Sequence, residues 1–329
     1  KDLDEAYAKF FSSEAGYPKR RRYSDDRFRV ANKKSFAIDN DWIRLPKVGW
    51  LRFRKSRELP EDGVVKNVTV YREANHWFVS LCVEHTLAAA APTGPAIGLD
   101  LGIAESISFS DGRKPVQLPV PTARDNWWTR RLSKFVSRKQ RGSNRRRKAV
   151  ARLAKWRRHL ANRRRDATHK ATTTIAKAHV EVHTEALKLR NMTRSAKGSI
   201  EEPGRNVRAK AGLNRSLLAQ AHGETLRHFA YKCARFGGTH HKKNPAYSSQ
   251  KCSECGHIAP ENRPDTASFR CSKCGHSMNA HTNAALNILS APDWVPTSAG
   301  GSPGTARRRQ CRRTPNEAST HLYQAAHAA

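Results

Sequence analysis

The sequence predicts an α/β architecture, and three observations carry that reading. Between residues 36 and 84, short alternating runs recur at regular spacing between turn residues, the pattern of a small β-barrel. From residue 96 onward, apolar strands alternate with helical stretches. Later, Cys252-Ser-Glu-Cys255 and Cys271-Ser-Lys-Cys274 stand fifteen residues apart, each second cysteine followed by Gly-His. Two CxxC pairs at this spacing are the ligand set of a structural zinc ribbon, whose two tight knuckles bring four thiolates onto one Zn2+. Gly256 and Gly275 fit the turn after each pair, where a positive φ costs glycine little. Two disulfides, or free thiols, could use the same residues, but the regular CSxCGH repeat favours the metal.

At 329 residues the chain can hold two domains, or one larger domain with insertions. Lys and Arg total 62 against 28 Asp and Glu, a formal charge of +34. Such an excess repels itself unless a polyanion neutralises it, so nucleic acid is the expected partner. A membrane partner would ask for an amphipathic anchor or a long apolar run. No run of eighteen apolar residues and no signal peptide is visible. Cys82, Cys233 and Cys311 are left over from the zinc set, which suits a reducing cytosol. The chain opens on Lys1, not Met, so a natural amino-terminal segment is expected to precede it.

Residues 1–11 read as the end of a helix, with Leu3, Ala6, Tyr7, Phe10 and Phe11 on one face. A basic linker follows at 19–23. Strands are expected at 36–38, 42–46, 49–54, 64–71 and 76–84, broken by Pro46, Gly49, Pro60 and the turn Glu61-Asp62-Gly63. Residues 87–94 read as a linker. Next comes Ala96-Ile-Gly-Leu-Asp100-Leu-Gly-Ile-Ala, an apolar strand with one acid in its middle, then a second strand at 106–110. An acid in a buried strand is costly unless it is paired or binds metal. Capping a turn is the other use open to Asp100.

Residues 130–170 hold eighteen Lys and Arg and a single acid, Asp166. Val150, Leu153, Trp156 and Leu160 recur at helical spacing, giving one core face and one dense basic face, and Gly142-Ser143-Asn144 reads as a break between two helices. Such a face is expected to lie along phosphates. Aromatics there are sparse, so backbone tracking is expected rather than base stacking. The candidate contacts are Arg138, Arg145, Arg146, Arg147, Lys148, Arg157, Arg163 and Arg164. Residues 178–183 alternate as a half-buried strand, 193–211 read as a flexible basic loop, and 213–236 as one helix ending at Gly237-Gly238. An apolar helix starts near 278, and 292–329, rich in Pro, Gly, Ser and Arg, reads as a disordered basic tail.

Four stretches in order carry a resemblance: Ile97-Gly-Leu-Asp-Leu-Gly-Ile103, Glu185-Ala-Leu-Lys-Leu-Arg-Asn-Met192, Asn244-Pro-Ala-Tyr-Ser-Ser-Gln-Lys-Cys-Ser-Glu-Cys-Gly256 and Asn283-Ala-Ala-Leu-Asn-Ile-Leu289. Together they resemble the TnpB (OrfB) family of insertion-sequence proteins, relatives of type V CRISPR effectors, over roughly residues 1–290. The resemblance implies a RuvC-like RNase H fold with an inserted zinc ribbon, preceded by a small wedge-type β-barrel whose first part is missing here. The implied divisions are 1–20, the end of a helical recognition insertion; 21–92, the barrel; 93–245, the nuclease with its basic helices; 246–277, the ribbon; and 278–291, the last RuvC segment. Family members bind a guide RNA transcribed from the transposon end and cut DNA that pairs with it beside a short motif. They have also been called transposases, because they travel with one. Guide RNA and target DNA are therefore the implied partners, and a bacterial cytoplasmic, nucleoid-associated location is implied; the oligomeric state is left open. Basic helices suit this role, because base pairing reads the sequence while protein holds the backbone.

The resemblance also gives the lone acids a role. RuvC-type sites use about three carboxylates from separate segments to hold two Mg2+. Asp100 matches the first and Glu185 the second, ranked above Glu181, which precedes the matching run. At the third place the family pattern is acid-x-acid-x-Asn, whereas this chain reads Asn279-Ala280-His281-Thr282-Asn283. His281 stands where the catalytic Asp is expected. Histidine is a poor ligand for Mg2+ and a better one for Mn2+ or Zn2+; some RuvC resolvases nonetheless carry a His among their carboxy-terminal catalytic residues. Two functions follow. One is a transposon-encoded, RNA-guided DNA endonuclease using Asp100, Glu185 and His281 with Mg2+ or Mn2+. The other is a guided DNA-binding protein that has lost cleavage. A zinc-ribbon protein binding nucleic acid without a guide is a third class.

Overall fold

The computed structural model of the chain describes residues 2–18, 26–74, 76–86, 91–199, 201–293 and 322–328. These fall into two compact units, residues 1–87 with 297–329, and residues 88–296.

The first unit opens with α1 (Asp2–Phe11) and is otherwise β. Its strands are β1 (Arg27–Val30), β2 (Ala37–Asp39), β3 (Trp42–Leu45), β4 (Gly49–Arg54), β5 (Val64–Glu73), β6 (His76–Glu84) and the chain's last strand, β13 (Leu322–Ala328). They form one sheet in the order β1-β5-β6-β13-β4-β3-β2, with every neighbouring pair antiparallel. Alternation explains which face is buried. Ile43, Leu45, Phe53, Val68, Val70, Val79, Leu81 and Val83 share one core, while Trp42 and Arg44, alternating with the buried Ile43 and Leu45 of β3, point outward.

Two expectations need correction here. The tail reads as disordered by composition, yet 322–328 is a strand. It fills the place between β6 and β4, whose edges would otherwise carry unpaired amides and carbonyls. Residues 294–321, with Cys311, lie outside the described residues, as does the linker at 19–23. In α1 only part of the apolar face packs: Tyr7 and Phe10 meet Tyr17, whereas Leu3 and Phe11 are exposed.

The second unit holds β7 (Ile97–Asp100), β8 (Ser108–Phe109), α2 (Ala123–Ser137), α3 (Asn144–Ala178), β9 (Glu181–Glu185), α4 (Leu189–Met192), α5 (Val207–Ala219), α6 (His222–Arg235), β10 (Thr239–Lys243), β11 (Ser268–Arg270), β12 (Ser277–Asn279) and α7 (Ala280–Ser290). Its main sheet runs β10-β9-β7-β8, with β7, β9 and β10 parallel and β8 antiparallel to β7. Parallel neighbours require long crossovers; α2 and α3 make the first, α4 to α6 the second. Ile97, Leu99, Phe109, Val182, Ile175 and Phe229 join strands and helices in one core. At 35 residues, α3 is about 52 Å long.

The break at Gly142–Ser143 is where the sequence puts it, with the Ser143 hydroxyl capping α3. The core face of α3 is shifted from the expectation. Ala149 and Leu153 are buried and Val150 is exposed, because a residue one step along a helix turns 100° away. The single helix expected at 213–236 is instead α5 and α6, parted at Gln220 and Ala221, where Ala221 takes φ 55°. Helix propensity is overridden there by two tertiary hydrogen bonds of the buried Gln220 side chain. It donates to the Ile103 carbonyl at 2.7 Å and accepts from the Ser106 hydroxyl at 2.8 Å. α5 also starts inside the stretch read as a loop, and β9 starts later than expected because α3 runs on to Ala178.

Where α6 meets α3, Lys232 is buried with no carboxylate paired to it among the described residues. Its ammonium donates to the His169 carbonyl at 2.7 Å and to the Thr172 and Thr173 hydroxyls at 2.8 and 2.7 Å. Burial, with Arg235 adding to it, pushes its pKa down to about 8. Between pH 8 and the ordinary lysine range the unfolded chain therefore binds more protons than the folded one, so stability rises with pH across that window and is flat below it. The melting temperature of the wild-type protein is expected to gain roughly 3 °C or more over this window relative to Lys232→Met, read by calorimetry. Parallel curves for the two proteins would refute this.

Among the described residues, no helix is long and apolar enough to cross a membrane.

Candidate active site

Asp100 is the last residue of β7 and Glu185 the last of β9. The two strands are parallel neighbours with Leu99 opposite Thr184, so both acids emerge side by side at the carboxyl ends of the sheet. That rim is where open α/β sheets place their ligands. The two glycines flanking Asp100 have separate jobs. A Cβ on Gly98 would stand 2.1 Å from the Ala285 carbonyl oxygen, so α7 lies directly on the β7 backbone. A Cβ on Gly102 would stand 2.6 Å from the Glu105 carbonyl, so the loop after Asp100 also closes tightly. Gly98→Ala is expected to push α7 off β7 and cost about 1–3 kcal/mol, measurable as a lowered denaturation midpoint. An unchanged midpoint would contradict the packing.

His281 is the second residue of α7, whose amino end is capped by Asn279 accepting from the His281 and Thr282 amides at 2.8 and 3.1 Å. The cap fixes the first turn and points His281 at the acids: its Nδ1 lies 2.8 Å from Asp100 Oδ2. Because the acceptor is a carboxylate, Nδ1 is the protonated nitrogen, which leaves the Nε2 lone pair of the neutral ring free. The bond to Asp100 holds the His281 pKa above the ordinary histidine value, against the pull of burial. Glu105 adds to the rise. Glu185 is desolvated, and burial drives its pKa up to about 7; the Ser248 hydroxyl, donating to Oε1, works against the rise, while the charge of Asp100 adds to it.

Several participants carried no signal in the chain's local patterns. Ser248 lies in the Asn244–Gly256 stretch but has no chemistry of its own to announce it. Glu105 accepts from the Ser108 hydroxyl, and Ser108 is the register partner of Asp100, so this acid is held close to the site. His222, buried at the start of α6, lies in the field of Asp100 and has no hydrogen-bond partner for Nε2 among the described residues.

The asparagines of α7 join this rim to the cysteines. Asn283 accepts from the Ser253 amide at 3.1 Å and donates to the Lys251 carbonyl at 2.8 Å. One turn later, Asn287 donates to the Ser248 and Lys251 carbonyls at 2.9 and 2.6 Å. The cysteines themselves converge: the Sγ atoms of Cys252, Cys255, Cys271 and Cys274 all lie within 4.8 Å of one another. Cys252–Cys274 is 3.7 Å and Cys255–Cys271 is 3.6 Å. A disulfide needs about 2.05 Å, so these are not disulfides. Four sulfurs at about 2.3 Å from a tetrahedral ion would lie about 3.8 Å apart, close to those two distances, and the whole set stays within 4.8 Å. Each knuckle is closed by an amide-to-carbonyl bond, Gly256 to Cys252 and Gly275 to Cys271, with both glycines at positive φ, 72° and 74°. The donor set fits Zn2+.

The carboxylate rim fits a cation less completely. Among the described residues neither Asp100 nor Glu185 is paired to Lys or Arg; the basic group against Asp100 is the His281 imidazole. The same rim offers no closed triad. Among the described residues the four cysteines are the group of three or more potential ligands whose donor atoms converge, and Asp100, Glu185 and His281 are not such a group.

Of the expected nucleic-acid contacts, Arg146 donates to the Val136 and Lys139 carbonyls, Arg163 pairs with Asp125 at 2.6 Å, and Arg164 reaches the Ala219 carbonyl at 3.4 Å. Arg147 donates to the Asn144 side chain. Arg138, Arg145, Lys148 and Arg157 are exposed.

The parallel sheet with acids at its carboxyl rim, the capped helix against it and the cysteine cluster define a RuvC-like α/β core bearing a ribbon. Residues 222–288 match the family model "Cas12f1-like, TNB domain", and residues 80–196 match the OrfB_IS605 model, described as "Probable transposase". The chain is 42% identical over 294 residues to "Putative RNA-guided DNA endonuclease InsQ" of Escherichia coli (strain K12), covering 88% of this chain and 72% of that protein. It is 32% identical over 238 residues to a "Putative RNA-guided DNA endonuclease" of Streptomyces pristinaespiralis, covering 71% of this chain and 55% of that one. In fold it is similar to Cas12f1 in its complex with single-guide RNA and target DNA, with a TM-score of 0.57 at 16% identity, over 88% of this chain and 69% of that one. The chain belongs to the TnpB (OrfB) family of insertion-sequence proteins.

Proposed function

We propose that the protein is a transposon-encoded, RNA-guided DNA endonuclease, with Asp100 and Glu185 as its metal-holding acids. The observation that carries this is their placement side by side at the carboxyl ends of β7 and β9, with no Lys or Arg paired to either among the described residues, in a chain 42% identical to a relative named for that activity. Asp100 and Glu185 would hold the divalent ions. When bound, such ions supply a nucleophilic hydroxide and stabilise the leaving oxygen. His281 orients through Nδ1–H on Asp100 and offers Nε2 as a nitrogen ligand or proton acceptor. Its nitrogen suits Mn2+ better than Mg2+. The exposed basic face of α2 and α3 would track phosphates of a guide–target duplex, with Arg146 and Arg163 bracing the two helices. The antiparallel sheet of the first unit would be the wedge-type barrel, and guide RNA from the transposon end the bound RNA.

One observation favours a second reading, a guided binder without cleavage. The third catalytic place is an imidazole already engaged by Asp100, which leaves the rim one carboxylate short. The two readings part on cleavage of matched DNA by the full-length protein with its guide, in Mg2+ and in Mn2+. The nuclease reading expects cutting that is stronger in Mn2+ and falls at least about a thousandfold in Asp100→Ala. Tight target binding with no cutting in either metal supports the binder. Absence of any discrete RNA after a high-salt wash refutes both.

A further inference from the structure

We propose that the outward face of β3 and β4 is a stacking platform for unpaired nucleotides. In these strands the inward Ile43, Leu45 and Phe53 are buried, although Leu51 opposite Ile43 is exposed, and the outward Trp42 and Trp50 are 46% and 50% exposed. The register sets the pattern: Trp42 lies opposite Arg52, and Arg44 lies opposite Trp50. Each tryptophan therefore has an arginine as its cross-strand register partner on the same face, and the two tryptophans sit on the diagonal, about 7–8 Å apart at Cα. Arg54 continues the row along β4. Among the described residues Arg44, Arg52 and Arg54 form no ion pair; one acid, Asp39, shares the face, opposite Trp42 on the outer strand β2.

Exposed tryptophans interspersed with arginines on one sheet face supply both things that single-strand binding uses, π surfaces for bases and cations for phosphates. Duplex DNA keeps its bases stacked and offers this face only phosphates. Unpaired RNA or DNA offers both. The basic helices of the second unit carry the opposite balance, many cations and few aromatics, and suit a duplex. Cross-strand Trp–Arg pairs can also serve only to stabilise a sheet, so the test must separate ligand binding from folding. The proposal stands apart from the nuclease reading, because binding here can persist where cleavage fails.

The test uses the full chain and oligo(dT), oligo(U) and a mixed-sequence DNA duplex, each about 12 nucleotides long, in about 0.4 M salt to weaken pure phosphate contacts. Replacing both tryptophans by alanine is expected to lower single-strand affinity by roughly 30-fold or more and to leave duplex affinity within about twofold. Replacing both by phenylalanine, which still stacks, should retain most single-strand affinity. Tighter oligo(U) than oligo(dT) assigns the face to RNA, and the reverse to DNA. Unchanged single-strand affinity in a folded alanine variant overturns the proposal, as does binding to anionic vesicles in place of oligonucleotides. If the alanine pair unfolds, photo-crosslinking of bromouracil oligonucleotides to wild-type protein decides: crosslinks mapping to residues 42–50 support the platform, and crosslinks confined elsewhere overturn it.

Discussion

Removing the metal ion that the four thiolates would hold is expected to lower the melting temperature by more than about 10 °C and to loosen the carboxylate rim together with the ribbon. The ribbon has little to hold it otherwise. Its strands β11 and β12 are three residues each, and its core is Phe269, Ala280 and Met278 against the buried cysteines. Structural zinc in such modules contributes an apparent 10–16 kcal/mol, roughly, of folding free energy. The loss should spread because α7 is anchored through Asn283 and Asn287 to the carbonyls of Lys251 and Ser248. Those carbonyls are placed by the first knuckle. Without it, the hydroxyl that Ser248 gives Glu185 and the imidazole that α7 gives Asp100 are both displaced. Calorimetry with and without a strong zinc chelator, repeated on Cys271→Ser, reads the effect. A single transition shifted as stated means that ribbon and rim fold as one. A chelated protein melting within about 2 °C of the holoprotein would show that α7 holds without the metal.

What the sequence announced, and what it hid, follows from how far apart the interacting residues lie. The cysteine knuckles are local, so spacing alone picked out the four cysteines that converge. Asp100 stood out because an acid in an apolar strand needs a reason. Glu185 was singled out by resemblance, since an acid ending a half-buried strand is ordinary. Gln220, His222 and Ser248 reach the rim across separations such as the 114 residues between Ser106 and Gln220, and no local pattern encodes that. β10 escaped notice for a different reason. Its sequence, Thr-His-His-Lys-Lys, has no apolar alternation; it is a strand because β9 offers it a parallel ladder, and its polar side chains find partners such as Asp293 for Lys243. The break between α5 and α6 was hidden likewise, because helix propensity runs straight through Gln220.

His281→Asp is expected to reverse the metal preference of the rim, trading stability without metal for affinity with it. The helix start tolerates the change: position 281 follows the Asn279 cap, where a negative charge meets the positive end of α7. The rim does not tolerate it when empty. His281 Nδ1 donates to Asp100 at 2.8 Å, and an aspartate there removes that charge-assisted bond, worth about 1.5–3 kcal/mol, and sets a third acid beside Asp100 and Glu185, neither of which is paired to Lys or Arg among the described residues. The metal-free variant should therefore melt several degrees lower, at roughly 2–4 °C per kcal/mol. Mg2+ should then recover more than was lost, because a third hard oxygen completes a carboxylate set that one imidazole leaves short. Mg2+ affinity, read as the metal-dependent rise in melting temperature, is expected to increase about tenfold or more. Cleavage in Mg2+ should increase with it. Wild type cutting well in Mn2+ while the variant gains in Mg2+ would make His281 a working ligand of altered preference. Cutting by the variant alone would mean that the natural protein is a guided binder one residue away from being a nuclease. A variant that gains neither Mg2+ affinity nor activity would show that position 281 is not where the third acid acts.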